Sequence, residues 1–581
     1  MPAACPTDAK TLCAQLLAEA LNATWPQNQS PSIVLERPKE TRHGDYACNV
    51  ALQLARSLKR SPREIAAAIV AALPASPLLE KAEVAGAGFI NLFLKPSFKQ
   101  QIVSRVLSLG SAYGTNELGR GKKVQVEFVS ANPTGPLHVG HGRGAAFGAS
   151  LANVLQAAGF EVAREYYVND AGRQMDILTV STWLRYLELT GAPVPFPPNA
   201  YQGDYVRCMG QALFDAEGHR YAQAAADVTR DLSDAATDPE VHLDALIAVS
   251  RRLLGPDYDT IHGFALNQQL ADCREDLTEF GVTFDNWFSE RSLHDSGLVD
   301  QAVRRLEQGA HLYQKDGAKW FRSTQFGDEK DRVLCRENGQ YTYFASDIAY
   351  HVNKFERGYD LVIDVWGADH HGYIPRVRGA LDALGLATDR LTIALVQFAV
   401  LYRQGQKVSM STRAGEFVTL RELRQEVGND AARFFYVLRK SDQHLDFDLD
   451  LAKSQSNENP VYYIQYAHAR VCSLHDQWGA DGSLLLEADT ASLASEQEVA
   501  LLDRLIAYPE TVENAARELA PHVIAFYLRE IAGEFHSYYN ATRILVPDDN
   551  VTLARLALAT AVRQVLRNGL ALLGVSAPEK M

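Results

Sequence analysis

The segment Ser130–His141, with the sequence SANPTGPLHVGH, joins a strand-like run to a helix-like run. The run before it, Lys123–Val129, is short and rich in valine, and the run after it, Gly142–Gly159, is rich in alanine and leucine. A strand that turns directly into a helix is the repeating unit of parallel α/β sheets, which bind nucleotide phosphates at such turns. The sequence therefore predicts a Rossmann-like, doubly wound sheet with a nucleotide site at this segment.

Two histidines and one glycine in this segment suit nucleotide chemistry. His138 and His141 can donate hydrogen bonds as negative charge builds on an α-phosphate, beside the positive end of the helix dipole. Gly140 has no side chain, so a flat base can lie against the helix backbone. Taken alone, the two histidines also fit packed or surface side chains, or part of a zinc site with further ligands. The chain contains no CxxC and no HExxH pattern.

Longer motifs in the chain indicate which kind of nucleotide-binding protein it resembles. HVGH resembles the HIGH signature of class I aminoacyl-tRNA synthetases, and VEFVSANPTGPLHVGHGRG resembles the arginyl-tRNA synthetase family within that class. Further stretches resemble the same family in the same order along nearly the whole chain, namely His43–Ala47, Gly86–Asn91, Tyr166–Gly172, Tyr343–Ala349, Trp366–Gly372, Asn459–Arg470 and Ala577–Met581. The resemblance implies an enzyme that joins arginine to its tRNA with ATP.

Three domains are predicted from the order of strand and helix patterns. Residues 1–115 read as an N-terminal α+β domain, and residues 116–425 as the catalytic domain with an insertion at about 190–335. Residues 426–581 read as an all-helical bundle. Further strands of the catalytic sheet are predicted at Glu161–Val168, Gln340–Ala345, Leu361–Trp366 and Thr392–Val400. The resemblance implies that the first domain contacts tRNA and that the last binds its anticodon region.

The composition of the chain indicates which partners it can bind and in which compartment it is found. The net charge of −14 argues against a general nucleic-acid binder, but binding RNA requires only local basic surface, such as Lys59, Arg60 and Arg63. Seven cysteines without paired spacing indicate a reducing compartment. The sequence predicts no signal peptide and no apolar segment long enough to span a membrane. We expect a cytoplasmic monomer with no membrane contact and no resident metal site.

Two further loops are predicted to bind ATP. Gly367–Gly372 follows an apolar strand, and there Gly367 would allow close approach while Asp369 and His370 contact the nucleotide. A solvated turn or a metal site remains an alternative for its Asp-His-His run.

The other loop occupies the position of the family's KMSKS signature, which clamps the β- and γ-phosphates. Its five aligned residues are Ser409, Met410, Ser411, Thr412 and Arg413, so both signature lysines are missing. Gly135 and Pro136 occupy the place where some members carry a lysine before HxGH. We expect Lys407 or Arg413 to neutralise the leaving pyrophosphate, with Met410 and Ser411 beside the ATP and Mg²⁺ supplying the remaining charge.

An arginine pocket requires carboxylates and an aromatic ring, because a guanidinium is planar, always charged and rich in donors. The resemblance implies that Glu127 meets the α-ammonium or a nearby donor, with Ser130 and Asn132 at the substrate backbone. It implies that Tyr343 and Asp347 hold the guanidinium. From the residues alone, Glu127 also fits a carboxylate at a strand end, and Asp347 a helix cap.

The predicted reaction has two steps. The arginine carboxylate attacks the ATP α-phosphate, pyrophosphate leaves, and the activated arginine passes to the 3′ end of tRNA. Three alternatives remain open, namely a class I synthetase for glutamate or glutamine, a small HxGH nucleotidyltransferase, and an inactive RNA-binding or scaffold protein. A glutamate or glutamine pocket would favour arginine side chains over acids, and a small nucleotidyltransferase would lack the flanking domains.

Overall fold

The computed structural model describes residues 9–26, 31–38, 40–230, 232, 238–408 and 418–581. The chain opens with a small α+β domain, whose four strands form an antiparallel sheet in the order β1-β2-β4-β3. Its elements are α1 (Ala9–Thr24), β1 (Leu35–Glu36), β2 (Tyr46–Cys48), α2 (Val50–Leu58), α3 (Pro62–Ala71), β3 (Leu79–Ala85), β4 (Phe89–Leu94), α4 (Pro96–Gln100) and α5 (Ile102–Leu109).

The central domain is built on a five-stranded parallel sheet. Its elements begin with β5 (Lys123–Glu127), α6 (Val139–Ala157), β6 (Glu161–Val168), α7 (Arg173–Leu189), α8 (Asp204–Glu217), α9 (Ala225–Thr229), α10 (Pro239–Leu254), α11 (Asp257–Glu279), β7 (Asn286–Ser289), α12 (Arg291–Asp295) and α13 (Leu298–Gln308). They continue with β8 (Leu312–Lys315), β9 (Ala318–Phe321), β10 (Arg332–Cys335), α14 (Tyr343–Glu356), β11 (Leu361–Gly367), α15 (Ile374–Ala383) and β12 (Leu391–Val396).

The strand order β12-β11-β5-β6-β7 makes this a doubly wound sheet. The chain runs outward from β5 through β6 to β7, then returns to the other side of β5 through β11 and β12. The direction of winding reverses between β5 and β11, and ligands bind outside the carboxyl ends of the strands at such a reversal. The predicted sheet and the predicted location of the nucleotide site therefore coincide.

The helices of the predicted insertion pack on α7, which precedes it, and share a separate hydrophobic core with that helix. Buried residues of this core come from α7, α8, α10 and the start of α11, and they include Trp183, Leu213 and Leu246. Strand β7 also lies within the predicted range of 190–335, yet it pairs with β6 in the main sheet. The part of the insertion that lies outside the sheet therefore ends before Asn286.

One predicted strand is wrong. Gln340–Ala345 was expected in the central sheet, but α14 begins at Tyr343. Phe344, Ala345, Ile348 and Ala349 are all buried in one cluster, and their spacing matches one face of a helix. The composition of Gln340–Ala345 suits a strand. The helical spacing of the buried residues that follow it indicates the helix that is observed.

The remaining elements are mainly helices. They are β13 (Ala399–Arg403), β14 (Gln406–Lys407), α16 (Leu420–Val427), α17 (Asn429–Val437), β15 (Leu445–Asp448), α18 (Leu449–Lys453), α19 (Pro460–Trp478), α20 (Glu496–Arg517), α21 (His522–Ala541) and α22 (Asp549–Leu572). The predicted helical bundle is thus confirmed. Pro509 lies inside α20, which continues through it as a single helix. No helix among the described residues is long and apolar enough to cross a bilayer.

Ion pairs fasten the N-terminal domain to the helical bundle. Lys99 on α4 lies between Asp45 and Asp503 of α20, at 2.5 and 2.7 Å. Two turns further along α20, Glu510 accepts from both Lys10 and Arg37. These groups are largely shielded from water, so their charges interact more strongly than those of exposed pairs.

We expect Lys99→Met to lower the free energy of unfolding by about 1–3 kcal/mol, because it leaves two partly buried carboxylates facing each other. The measurement is the midpoint of urea unfolding. Lys81→Met is the matched control, since Lys81 pairs with Glu83 on the surface of the same domain. Equal midpoints for the two variants would show that the interdomain pair contributes nothing.

Candidate active site

The HVGH segment forms the start of α6, and its two histidines cap the helix reciprocally. The Nδ1 atom of His138 accepts from the Gly140 N–H at 3.1 Å, and the Nδ1 atom of His141 accepts from the His138 N–H at 3.2 Å. The two rings stack with centroids 3.7 Å apart. Because each Nδ1 accepts a hydrogen bond, each neutral ring carries its proton on Nε2. The capping bonds thus orient two N–H donors at the helix N-terminus.

Both rings favour the neutral form. Burial, followed by the neighbouring His138 ring, lowers the pKa of His141 to about 3. Burial also lowers the pKa of His138. Two stacked cations would repel each other at this distance, so the stacked pair is stable only while uncharged.

Gly140 is required by close packing. A Cβ atom at this position would lie 2.8 Å from the His138 ring and 3.5 Å from the ring of Phe398. Phe398 follows β12 at the carboxyl edge of the sheet and is 50% exposed, which is unusual for a phenylalanine. The sequence analysis missed Phe398, whose only signal is its position just after the last parallel strand. The exposed Phe398 ring therefore lies next to the Gly140 backbone at the N-terminus of α6.

The turn between β5 and α6 has strained backbone. Val129 and Ser130 both have positive φ, at 68° and 41°, a conformation that side chains with a Cβ rarely adopt. The Ser130 hydroxyl holds the turn by donating to Glu127 at 2.8 Å and accepting from the Tyr167 N–H at 3.1 Å. Asn132 is exposed just beyond the turn, 3.1 Å from the Asn169 side chain.

Glu127 belongs to a row of buried carboxylates. It is in register with Asp364 of β11 on one side and with Glu165 of β6 on the other. Helix α14 lies over this row and supplies its partners, since Lys354 contacts both Glu127 and Asp364. Arg357 binds Glu165 through two hydrogen bonds of 2.6 and 2.8 Å. Glu127 therefore already has partners within the protein, and its direct contact with a substrate stays a prediction.

The other two predicted pocket residues lie at the start of α14. Tyr343 is 54% exposed, and its hydroxyl lies close to Gly172, where an added Cβ would come within 2.9 Å. Asp347 is partly buried and accepts a hydrogen bond from the Tyr373 hydroxyl. Burial raises the pKa of the Asp347 carboxyl despite this bond.

A second acid, Glu290, faces Asp347. It follows β7 at the same edge of the sheet and is only 3% exposed. Burial, followed by the negative charge of Asp347, raises the pKa of Glu290 to about 7. No salt bridge to Asp347 or Glu290 is found within the described residues. Sequence reasoning missed Glu290, because only the pairing of β7 with β6 brings it beside α14.

The second predicted ATP loop lies at the carboxyl end of β11. Ala368–Tyr373 forms a 3-10 turn, in which Asp369 and His370 are exposed. The Asp369 carboxylate folds back over Gly367, where a Cβ would lie 2.4 Å from it. The turn thus presents polar side chains beside the HVGH helix, across the reversal point of the sheet.

The third predicted loop is described only at its ends. Lys407 is exposed at the end of the β13–β14 hairpin, whereas Met410, Ser411 and Arg413 lie outside the described residues. Beyond the loop, the backbone pairs with the HVGH segment. The Val139 N–H donates to Val418 at 3.1 Å, and the Leu420 N–H donates to Leu137 at 2.8 Å. The far end of the loop is thus fixed beside the two histidines.

Known protein families match most of the chain. Residues 11–94 match the arginyl tRNA synthetase N terminal domain, and residues 102–190 with 269–446 match the catalytic domain of class I (R) tRNA synthetases. Residues 464–581 match the DALR anticodon binding domain.

Curated relatives and solved structures agree with these matches. An arginine–tRNA ligase of Nitrosospira multiformis is 66% identical over 574 residues, 99% of each chain. One from Azoarcus sp. is 65% identical over 585 residues, 99% of this chain and all of the relative. The solved arginyl-tRNA synthetase of Thermus thermophilus has a TM-score of 0.75 at 25% identity, over 98% of this chain and 100% of that one. That of Plasmodium falciparum, at 16% identity, shares the fold over 98% of this chain and 99% of that one, with a TM-score of 0.70.

The neutral histidine pair predicts a loss of stability in acid. An unfolded histidine binds a proton below about pH 6.5, whereas folded His141 stays neutral until about pH 3, so stability falls as the pH drops through this window. We expect His141→Asn to lose less stability than the unmodified protein between about pH 7 and about pH 5. Urea midpoints at both pH values measure this, and the same substitution at exposed His219 is the control. Identical losses in all three proteins would contradict it.

Proposed function

This chain belongs to the arginyl-tRNA synthetase family, and we propose that the carboxyl edge of its parallel sheet is where it joins arginine to ATP. The chain is an arginine–tRNA ligase, which activates arginine with ATP and then transfers it to tRNA. One observation carries the assignment of the site. Asp347 and Glu290 are adjacent, shielded carboxylates without a salt bridge among the described residues, so a cationic substrate would supply the missing charge.

The guanidinium of arginine fits this acidic pair. It is a permanent cation with donors arranged in a plane, so two carboxylates can each accept from it. Tyr343, exposed on the same helix turn as Asp347, supplies an aromatic wall and a hydroxyl. Glu127, Ser130 and Asn132 line the approach from the β5–α6 turn, where they would meet the α-amino and carboxylate end of arginine. A glutamate or glutamine side chain would find no positive partner in this pocket.

ATP would lie along the start of α6. The Nε2–H donors of His138 and His141 would meet the α-phosphate and stabilise the charge that develops as the arginine carboxylate attacks. No general base is needed, because a carboxylate is already a nucleophile, so neutral histidines suit the task. The adenine would lie against the start of α6 near Gly140, beside the exposed Phe398 ring, and stacking on a ring is worth about 0.5–1.5 kcal/mol.

The remaining ATP groups would be held by the other two loops. Asp369 and His370 can accept from or donate to the ribose, while Gly367 leaves room for it. Lys407 and Arg413 would neutralise the pyrophosphate, together with Met410 and Ser411 of the same loop. The bonds of Val418 and Leu420 to the HVGH segment support this, since they fix one end of the loop next to the phosphates. Mg²⁺ would enter with ATP, bound mainly by phosphate oxygens and water.

The flanking domains would hold the tRNA. Three domains with boundaries near residues 115 and 425 are part of this proposal, and the matches at 11–94 and 464–581 support them. On the bundle, Tyr462 stacks on Tyr466, and Arg470 lies 4.5 Å over Tyr466 and 4.8 Å over Tyr539. Partly exposed rings and a guanidinium in a row can stack on unpaired anticodon bases.

We propose further that the enzyme acts as a monomer in the cytoplasm. The six cysteines among the described residues are all free thiols, which suits a reducing compartment. They are Cys13, Cys48, Cys208, Cys273, Cys335 and Cys472.

We expect Asp347→Asn and Glu290→Gln to raise the KM for arginine by about 10- to 1000-fold, because each removes one charged partner of the guanidinium. The KM for ATP should change little in both variants. Asp369→Asn is the reciprocal control, and it should raise the KM for ATP alone. Steady-state aminoacylation kinetics measure all three, and equal effects of Asp347→Asn on both substrates would contradict the pocket assignment.

We expect Arg413→Ala or Lys407→Ala to slow adenylate formation by about 10- to 1000-fold, because the leaving pyrophosphate loses a neutralising charge. ATP–pyrophosphate exchange in the presence of tRNA measures this step. Arg403→Ala is the control, since Arg403 on the neighbouring strand pairs with Glu426. Unchanged exchange in both loop variants would mean that neither side chain replaces the missing signature lysines.

A further inference from the structure

Three carboxylates lie side by side on the central strands beneath the arginine pocket. Asp364, Glu127 and Glu165 are register partners on β11, β5 and β6, so their side chains share one face of the sheet. All three are less than 9% exposed. Adjacent buried carboxylates repel each other strongly and tend to bind protons unless cations neutralise them. The row therefore depends on what α14 places over it.

Helix α14 supplies the cations from a single face. His351, Lys354 and Arg357 are spaced three residues apart, so they point in similar directions. Arg357 serves Glu165, while His351 lies 2.9 Å from Asp364 and 2.7 Å from the carbonyl oxygen of Asp347. Lys354 alone bridges two carboxylates, Glu127 and Asp364, and it is fully buried.

We propose that Lys354 is a positioning residue for arginine activation: it keeps the Glu127 carboxylate charged and aims it at Ser130 and the substrate. One Glu127 oxygen binds Lys354, and the other accepts from the Ser130 hydroxyl. Ser130 lies in the strained turn that leads to Asn132 and the HVGH helix. Lys354 thus connects that turn to the helix that carries Asp347. The proposal rests on the arginine pocket assigned above.

The surroundings of Glu127 offer no substitute for Lys354. From β11 it faces Asp364, and from β6 it faces Glu165 and the Tyr167 ring. From α14, Tyr350 lies beside it and donates its hydroxyl proton to Glu165. Burial already raises the pKa of Glu127, and Lys354 is the largest influence that lowers it. Without Lys354, the pKa of the Glu127 carboxyl would rise further, so the group would attract the α-ammonium less strongly.

The test is the pH dependence of aminoacylation in Lys354→Met. Removing the lysine should shift the acid limb of kcat/KM for arginine upward by about one to three pH units. It should also raise the KM for arginine at neutral pH by at least tenfold, with partial recovery as the pH rises and Glu127 ionises. Glu290 contributes an acid limb of its own, so the shift is measured against the unmodified enzyme, which retains Glu290. Lys354→Arg keeps the charge and should keep the acid limb in place.

Arg357→Met is the matched control. Arg357 lies on the same helix and neutralises a buried carboxylate of the same row, but it does not touch Glu127 or Ser130. It should lower the urea midpoint while leaving the acid limb and the arginine KM unchanged. A shift of equal size in Arg357→Met would mean that Lys354 only stabilises the fold, and the proposal would be overturned.

A second variant covers the case in which Lys354→Met does not fold. The double variant Lys354→Met/Glu127→Gln removes the lysine and one of the two charges it neutralises, while His351 still binds the other, Asp364, so it should fold. It should bind arginine weakly at every pH, with no recovery in base. Arginine kinetics like those of the unmodified enzyme, in either variant, would overturn the proposal. If Asp347→Asn also left the arginine KM unchanged, the pocket assignment itself would fail, so the two failures are distinguishable.

Discussion

The active site depends on the neutralisation of buried charge at the centre of the parallel sheet. Glu127, Glu165 and Asp364 occupy neighbouring strands at the same level, and all three are buried. Only a helix with cations on one face can cover such a row, and α14 does so with Lys354 and Arg357. The same helix carries Tyr343 and Asp347 on its first turn. The electrostatics of the sheet therefore fix the position of the proposed arginine pocket, because the helix that satisfies the acids also carries Tyr343 and Asp347.

Some buried carboxylates of this region have a cationic partner within the protein, and others do not. This difference distinguishes structural carboxylates from candidate substrate ligands. Glu165 is bound by Arg357 and Tyr350, and although burial alone would raise its pKa, these partners lower it. Glu290 directly follows β7 and has no cationic partner among the described residues, and burial raises its pKa to about 7 although Ser346 and Tyr167 donate to it. A protein gains no stability from a buried acid that it leaves unpaired. The lack of a cationic partner for Glu290 and Asp347 among the described residues supports the proposal that a substrate supplies the positive charge.

The histidine pair caps the N-terminus of α6 at the same edge of the sheet. A helix N-terminus has backbone N–H groups without partners, and His138 and His141 accept from two of them. Capping in this way directs both Nε2–H groups outward, so one arrangement stabilises the helix and orients the donors. Burial keeps the rings neutral, which avoids repulsion between stacked cations and suits a reaction that needs donors rather than a base.

Sequence alone determined the parts of this protein that depend on local pattern. The strand, HVGH turn and alanine-rich helix predicted the doubly wound sheet, and helical periodicity predicted the C-terminal bundle, because both signals lie in neighbouring residues. The segment Gln340–Ala345 was misassigned because six apolar and polar residues fit either a strand or a helix start. Glu290, Phe398 and Lys354 could not be found in this way. Each gains its role from strand order and from the placement of α14, which bring together residues far apart in the chain, and only tertiary packing decides such contacts.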